Sequence, residues 1–300
     1  MAPRVIVVAK RTAYGLFVDE ERDPRIDRLI KTQDPSVRRL ISSYEEHQAT
    51  TEEVHEALDR LGAKAVWVGR SHAPFEASSA DLVLTVGGDG TLLAASHRVR
   101  DTPILGVNSS PTHSVGFFCG TKKGHVASAV EKALAGRMRA VVLSRMAVLL
   151  NDEPVATRVL NDALFCHSSP AATTRYSVIL DRITEQHKSS GFWIGPAAGS
   201  TAAQRSAGGR ILPLTSRALQ FVVREPYRPV GEKLRLARAL VEEGSELVVQ
   251  SEVREARIFF DGPQDSLQVR IGDRLVFKRS GESVRVLGLA SRRRWGEYPA

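Results

Sequence analysis

The sequence predicts an α/β fold, in which an N-terminal open parallel α/β sheet domain is followed by a second, β-rich domain of β-sandwich-like character. Three observations predict it. Short apolar runs alternate with helical patterns up to about residue 140, as in a parallel sheet covered by helices. One such run, 82–86, ends abruptly in Gly87-Gly88-Asp89-Gly90-Thr91. Beyond residue 140, short β-rich segments follow one another with turn residues between them.

In the N-terminal half, the apolar runs predict strands at 4–10, 65–69, 82–86 and 103–108. Thr50 and Glu53 have the spacing of a capping box, so a helix is predicted to begin there and to stop at Gly62. Further helices are predicted at 91–99 and 124–136. Residues 19–36 are charged and weakly patterned, which predicts a surface loop leading into a helix.

The second half is predicted to be built from short strands. They are expected at 146–150, 158–166, 176–180, 192–194, 219–224, 246–251, 257–260, 268–271 and 274–278. Residues 235–241 fit a strand or a helix. We therefore divide the chain into an α/β domain, residues 1–138, and a β-rich domain, residues 139–274. The segment of about 275–300 is a candidate to pack back on the first domain.

The glycine-rich motif combines bare backbone with one carboxylate at the end of a predicted buried strand. In open α/β sheets, ligands bind in the crevice at the carboxyl ends of the strands. Glycines let backbone N–H groups approach phosphate oxygens, and Thr91 is placed to cap the following helix, whose N-terminus favours anions. Asp89 would repel phosphate unless it binds a metal or accepts a proton from a nucleophile. The motif favours phosphoryl transfer to a hydroxyl, and the competing interpretation is a turn Asp without chemistry.

The bulk composition is that of a soluble globular protein. The 300 residues carry a net charge of +8, with 42% hydrophobic and 25% charged residues. Two cysteines, Cys119 and Cys166, offer neither a disulfide framework nor a metal-ligand pattern, which predicts a reducing, cytoplasmic location. No apolar run approaches the roughly 20 residues that span a bilayer, and no signal peptide is expected. Membrane association is therefore not predicted.

The positive charge would attract a polyanionic ligand such as ATP or a dinucleotide. No nucleic-acid-binding motif and no series of stacking aromatic residues accompanies it, so nucleic acid is not expected as a partner. The densest basic cluster, Arg292-Arg293-Arg294-Trp295, is interpreted as a solvated tail.

A second cluster of small residues contains Gly199-Ser200-Thr201-Ala202 and, after three intervening residues, Ser206-Ala207-Gly208-Gly209. Such a segment lets a flat ligand lie close to the backbone while hydroxyl groups donate hydrogen bonds to it. A tightly packed turn and helix start is the alternative. Asn161-Asp162 places two short polar side chains within a β pattern, and alone it would be an ordinary turn or bulge.

Taken together and in this order, these segments resemble the NAD kinase family over about residues 80–290. The motif at 87–91 is similar to a signature that the family shares with phosphofructokinases and with diacylglycerol and sphingosine kinases. Asn161-Asp162 occupies the place of an Asn-Glu pair that holds the adenosine ribose of NAD. Residues 199–202 and 206–209 match the family's Gly-Ser-Thr-Ala and Ser-Ala-Gly-Gly stretch, and the remaining similar segments are 106–108, 115–118 and 260–262.

The resemblance implies a kinase that transfers the γ-phosphoryl group of ATP to the 2′-hydroxyl of the adenosine ribose of NAD, giving NADP. Asp89 is implied as the catalytic base. Mg²⁺ is expected to accompany ATP, held by the phosphates rather than by protein carboxylates, so no protein metal site is predicted. The residues implied in substrate and nucleotide binding are Gly87, Gly88, Gly90, Thr91, Asn108, Phe117, Asn161, Asp162, Gly199, Ser200, Thr201, Ala202 and Ser206. Family resemblance also implies a homodimer or homotetramer.

Two positions depart from the usual pattern of the family. Ser190 stands where bacterial members usually have Asp, and Ala203 stands where they usually have Tyr. With the segment 188–191, these departures resemble the divergent, mitochondrial-type branch. Two other functions stay open: a lipid or sphingoid-base kinase of the same superfamily, and a non-catalytic NAD(P)-binding regulatory protein.

Overall fold

A computed structural model describes residues 2–69, 74–228, 231 and 233–289. The described chain forms two compact units: residues 2–141 with 284–289, here called the N-terminal unit, and residues 142–283, here called the β-rich unit. The expected fold class is confirmed, because the first unit contains a parallel sheet with helices and the second contains antiparallel sheets. The basic cluster at 292–295 lies outside the described residues.

The N-terminal unit is a parallel sheet with helices. Its strands are β1 (Arg4–Ala9), β2 (Lys64–Val68), β3 (Leu82–Gly87), β4 (Ile104–Asn108) and β5 (Cys119–Lys122), and its helices are α1 (Pro24–Lys31), α2 (Arg38–Arg60), α3 (Asp89–Ser96) and α4 (Val126–Leu134). A π-helical turn spans Gly15–Glu20 and a 3₁₀ turn spans Pro35–Val37.

The strands of this unit pair in parallel in the order β2-β1-β3-β4, and β5 pairs with β4. Val286 also pairs with Ile104 of β4 in parallel. Every residue of β3 and β4 is buried, as expected for central strands of a parallel sheet. Val54, Ala57 and Leu58 of α2 pack into the same core.

The predicted start of the second helix at Thr50 is wrong. Helix α2 has 23 residues and begins at Arg38, so Thr50 lies in its interior. The Thr50 hydroxyl donates to the carbonyl oxygens of Glu46 (2.8 Å) and Ser109 (3.0 Å) instead of capping. Residues 19–36 are also more ordered than predicted, because they include the end of the π-helical turn and α1, which Asp23 caps.

Glu53 of α2 caps a different helix from the one predicted. Its carboxylate accepts hydrogen bonds from the backbone N–H groups of Gly124 (2.7 Å) and Val126 (2.9 Å) at the start of α4. A negative charge at this end also complements the helix dipole.

Replacing Glu53 by Gln is expected to destabilise the protein by about 1 kcal/mol, since the cap loses its charge and one acceptor oxygen. Urea denaturation of the full chain measures the change. Glu52→Gln is the matched control, because Glu52 is the exposed neighbour on the same helix. An equal loss in both variants would contradict the capping role.

The remaining strands belong wholly or largely to the β-rich unit. They are β6 (Ala140–Leu150), β7 (Glu153–Val159), β8 (Ala163–His167), β9 (Thr174–Leu180), β10 (Ile183–Ser189), β11 (Phe192–Pro196), β12 (Leu219–Val223), β13 (Arg238–Val241), β14 (Glu246–Ser251), β15 (Ala256–Phe260), β16 (Asp265–Val269) and β17 (Arg274–Leu287). A 3₁₀ turn at Ala197–Thr201 and helix α5 (Ala203–Ser206) follow β11. The residues 235–241 thus end in a strand, and the predicted strand at 158–166 is two strands.

Two antiparallel sheets share the core of this unit. One runs in the order β13-β12-β11-β8-β15-β16, and the other contains β10-β9-β14-β17 with β6 and β7. Phe165, Phe192 and Phe221 of the first sheet and Phe277 of the second are completely buried in one cluster. No helix of the described residues has the length and apolarity needed to cross a membrane.

Candidate functional site

The glycine-rich motif lies where β3 ends and α3 begins. In the parallel register, Gly87 pairs with Asn108 at the end of β4. Lys10 directly follows β1, and its N–H donates to the carbonyl oxygen of Val86 (2.9 Å). The carboxyl ends of three adjacent strands therefore bring Lys10, the motif and Asn108 to one edge of the sheet, where α/β proteins bind ligands.

Close packing leaves no room for a side chain at Gly87, whereas a Cβ at residue 88 would closely approach only the rotatable hydroxyl of Ser114. A Cβ at residue 87 would lie 2.1 Å from Thr91 Oγ1, and one at residue 88 would lie 2.7 Å from Ser114 Oγ. Gly90 is exposed and has no neighbour within 4 Å of such an atom. Thr91 does not cap α3, because Gly88 is the N-cap and Thr91 is buried in the first turn.

Asp89 is the first residue of α3, and its half-buried carboxylate is held by the loop before β5. Its Oδ2 accepts the N–H of Phe117 (2.9 Å), and its Oδ1 accepts the N–H of Phe118 (2.6 Å). Gly116, at φ +63°, makes the turn that aims both N–H groups. Hydrogen bonds to a carboxylate are stronger than neutral ones, and each oxygen retains a second acceptor position. The side chain is thus oriented and can still accept a proton.

Helix α2 fixes the loop that follows β4. Glu46 accepts hydrogen bonds from the hydroxyls of Ser110 (2.7 Å) and Thr112 (2.5 Å), and His47 Nδ1 is hydrogen-bonded to Ser109 Oγ (2.9 Å). Burial and the positive charge of Lys10 lower the pKa of His47 to about 4, so its ring is neutral near pH 7. These contacts between α2 and the loop after β4 were not predicted from the sequence.

Lys10 was also missed, although a charged residue directly after the first strand was a usable signal. Burial lowers the pKa of its ammonium, and the charge of Glu46 opposes that effect. Within the described ranges, the Lys10 ammonium has no hydrogen-bond or ion-pair partner. A positive charge is therefore held at the strand ends beside the glycine turn.

The Asn108 side chain is buried and hydrogen-bonded to the loop that follows β4. Its amide donates to the carbonyl oxygen of Ser114 (2.8 Å), and its Oδ1 accepts the N–H of Ser110 (3.3 Å).

Beside Asn108, an open pocket of about 350 Å³ is lined by Asn108, Val115, Cys119, Gly120, Thr121, Lys122 and His125. Phe117, half-buried, lies in ring contact with the buried Phe118, with ring centres 5.1 Å apart.

In the β-rich unit, Asn161 and Asp162 form the connection between β7 and β8. Asn161 Nδ2 donates to Asp162 Oδ2 (2.9 Å). Asp162 is only 5% exposed, whereas Asn161 is half-buried. Burial, and secondarily the negative charge of Asp261, raises the pKa of Asp162 from 3.8 to about 7.

The small-residue segment packs directly against this pair. A Cβ at Gly199 would lie 1.6 Å from the carbonyl oxygen of Asn161, and one at Gly195 would lie 2.4 Å from it. The buried Gln204 also donates to that oxygen (3.4 Å). Two motifs that the sequence placed apart are therefore brought together within one unit.

The hydroxyl of Ser200 is used inside the protein. Ser200 is completely buried, donates to the carbonyl oxygen of Ala197 (2.7 Å) and accepts the N–H of Leu212 (2.9 Å). It stabilises the 3₁₀ turn. Ligand binding by this segment stays a prediction, with Ala202 and Ser206 as its exposed members and Thr201 half-buried.

The two departures from the family pattern lie in the same unit. The Ser190 hydroxyl donates to the carboxylate of Glu225, and Gly191 follows at φ +99°. Ala203 begins α5 and is half-buried. A carboxylate is thus still present beside position 190, supplied by a different residue.

The pKa of Asp162 predicts a stability that depends on pH. An unfolded chain ionises this group near pH 4, whereas the folded chain holds the proton up to about pH 7. The folded state binds more protons between these values, so stability falls as pH rises through this range.

Asp162→Asn removes this titration. The free energy of unfolding of the variant, relative to that of the wild type, should therefore increase by on the order of 4 kcal/mol between pH 4 and pH 8. Urea denaturation of both proteins across this range measures it. A constant difference between the two proteins at all pH values would contradict the assignment.

The fold and the site first define a class: an α/β protein that presents a glycine turn and an oriented carboxylate at the strand ends, with a β-rich unit added. Comparisons with known proteins agree with this class. The family description "ATP-NAD kinase N-terminal domain" matches residues 26–138. A protein of Oryza sativa named "Probable NADH kinase" is 32% identical over 263 residues, covering 80% of this chain and 81% of its own.

An NAD kinase of Cupriavidus pinatubonensis is 29% identical over 235 residues, covering 73% of this chain and 74% of its own. A crystal structure of an NAD kinase from Archaeoglobus fulgidus in complex with ATP has a TM-score of 0.68 at 21% identity, covering 94% of this chain and 92% of that chain. This likeness concerns the fold. The chain belongs to the NAD kinase family, and its similarity to the rice protein confirms the expected link to a divergent branch.

Proposed function

We propose that this protein transfers the γ-phosphoryl group of ATP to the 2′-hydroxyl of the adenosine ribose of NAD, forming NADP. The observation that carries the proposal is the carboxylate of Asp89, oriented by two backbone N–H groups in the family's signature turn. A ribose hydroxyl becomes a good nucleophile only when an acceptor takes its proton. Asp89 is that acceptor.

The other site residues bind and orient the substrates. Gly88 and Gly90 expose backbone to phosphate oxygens, and Lys10 adds positive charge at the same strand ends. Asn161 and Asp162 hold ribose hydroxyls and so aim the nucleophile. Such positioning supplies much of the rate in phosphoryl transfer, because the protein performs little covalent chemistry.

Mg²⁺ enters with ATP as part of the substrate. We propose that the ATP phosphates are its ligands. The ion offsets negative charge between the donor phosphates and Asp89. We also propose a cytoplasmic location, supported by the unbridged thiols of Cys119 and Cys166, and a homo-oligomer, supported by the family resemblance. Size-exclusion chromatography with light scattering tests the assembly.

The test is formation of NADP from NAD and MgATP, detected with an NADP-specific dehydrogenase. NADH is the second acceptor to measure, because the rice relative is named for NADH. A short-chain diacylglycerol in place of the dinucleotide tests the lipid-kinase alternative. Absence of phosphorylated product from NAD and from NADH would overturn the proposed function.

A further inference from the structure

Asp261 is half-buried and lies in a connection beside the Asn161–Asp162 pair, about a hundred residues away in sequence. Its carboxylate accepts three consecutive backbone N–H groups: Leu160 (2.8 Å), Asn161 (2.6 Å) and Asp162 (3.0 Å). Consecutive N–H groups that converge in this way form an anion-binding concavity. In this protein its own carboxylate fills the concavity.

The contact is reciprocal. The N–H of Asp261 donates to the carbonyl oxygen of Asp162 (2.9 Å), so four hydrogen bonds join the two segments. Asp261 follows β15 and adopts φ +50°, a left-handed conformation that is uncommon outside glycine.

All three N–H groups that Asp261 accepts belong to residues 160–162, which carry the side chains assigned to the ribose. We propose that Asp261 is a positioning residue for the dinucleotide, whose carboxylate shapes the backbone under Asn161 and Asp162. The inference rests on the proposed function.

The charges around the pair determine the sign of the expected pH effect. Asp261 is the charged group that acts on Asp162, and it raises the pKa of that carboxyl in addition to burial. The completely buried Arg145 also interacts electrostatically with Asp261, as well as with Arg158 and Glu282. Removal of the Asp261 charge therefore lowers the pKa of Asp162.

The experiment measures equilibrium NAD binding and steady-state kinetics of the full chain from pH 5 to 9. If ionised Asp162 accepts the ribose hydroxyl, the wild type binds NAD more tightly as pH rises through about 7. In Asp261→Asn, Kd and KM for NAD should rise roughly 10-fold or more, because a misplacement of substrate-orienting groups by about 1 Å can cost on the order of 100-fold. KM for ATP should not change, and the midpoint of the pH dependence should move to lower pH.

Asp273→Asn is the matched control. The Asp273 carboxylate also accepts hydrogen bonds, from the backbone N–H of Arg270 (2.7 Å) and from the side-chain amide of Asn151 (2.9 Å). It lies in another turn of the same unit. This control variant should leave the NAD affinity and the pH midpoint unchanged. Asp261→Glu keeps the charge and displaces the carboxylate oxygens. It should therefore weaken NAD binding, while the midpoint of the pH dependence stays near that of the wild type. This variant also tests the inference if Asp261→Asn does not fold.

Unchanged NAD binding in Asp261→Asn, or equal effects on NAD and ATP with an unmoved midpoint, would overturn the inference and leave a purely structural carboxylate. A wild-type chain that binds no NAD overturns it as well. A wild-type chain that binds NAD but does not phosphorylate it overturns the proposed activity alone. In that case the NAD-binding measurements on the variants still test the role of Asp261.

Discussion

Replacing Asp89 by Asn is expected to lower kcat at least ~10²-fold with NAD and MgATP, since the ribose proton loses its acceptor. The structure adds a second expected effect. An amide has one acceptor oxygen, so one of the N–H groups of Phe117 and Phe118 would face the NH₂ group. The lost charged hydrogen bond should destabilise the protein by about 1.5–3 kcal/mol. NAD binding by titration should remain measurable.

A second variant separates catalysis from loop support. Gly116→Ala keeps the carboxylate but disturbs the same loop, because a Cβ at this position would lie 2.4 Å from Asn108 Nδ2 and the residue has φ +63°. We expect it to lose stability comparably while kcat falls much less than in Asp89→Asn. If both variants lose kcat equally at equal loss of stability, Asp89 supports the loop and another group is the base.

The strand-turn-helix at residues 82–96 could be predicted because its signals are local. A buried apolar run, three glycines and a helical start follow one another within 15 residues. The capping box at Thr50 shows the limit of the same reasoning. The spacing to Glu53 is right, but both side chains are used by partners distant in sequence, Ser109 for Thr50 and the start of α4 for Glu53.

The support of the candidate site could not be predicted for the same reason. Asp261 reaches residues 160–162 across about a hundred positions, and α2 holds the loop after β4 across more than sixty. No periodicity or local propensity encodes such contacts, since they arise when strands and helices are assembled. Ser200 was predicted to donate to a ligand because its residue type allows it, whereas its burial depends on the packing of the 3₁₀ turn.

Gly199→Ala is expected to have a large structural effect for the addition of one methyl group. The added Cβ would lie 1.6 Å from the carbonyl oxygen and 2.5 Å from the carbonyl carbon of Asn161, both backbone atoms. Since neither can rotate away, the 3₁₀ turn and the connection between β7 and β8 must separate. We expect a loss of about 3 kcal/mol or more, at the upper end for overpacking, and a large loss of NAD affinity.

A graded series makes this prediction specific to the distance from Asn161. At Gly195 the added Cβ would lie 2.4 Å from the same oxygen, and at Gly281, an exposed position with an ordinary φ, nothing lies within 4 Å. Urea denaturation and NAD titration should rank the Ala variants as 199 most affected, 195 intermediate and 281 unaffected, because the required displacement decreases in that order. If Gly281→Ala weakened NAD binding as much as Gly199→Ala, the loss of glycine flexibility would explain the result, and the close approach of the two motifs would not.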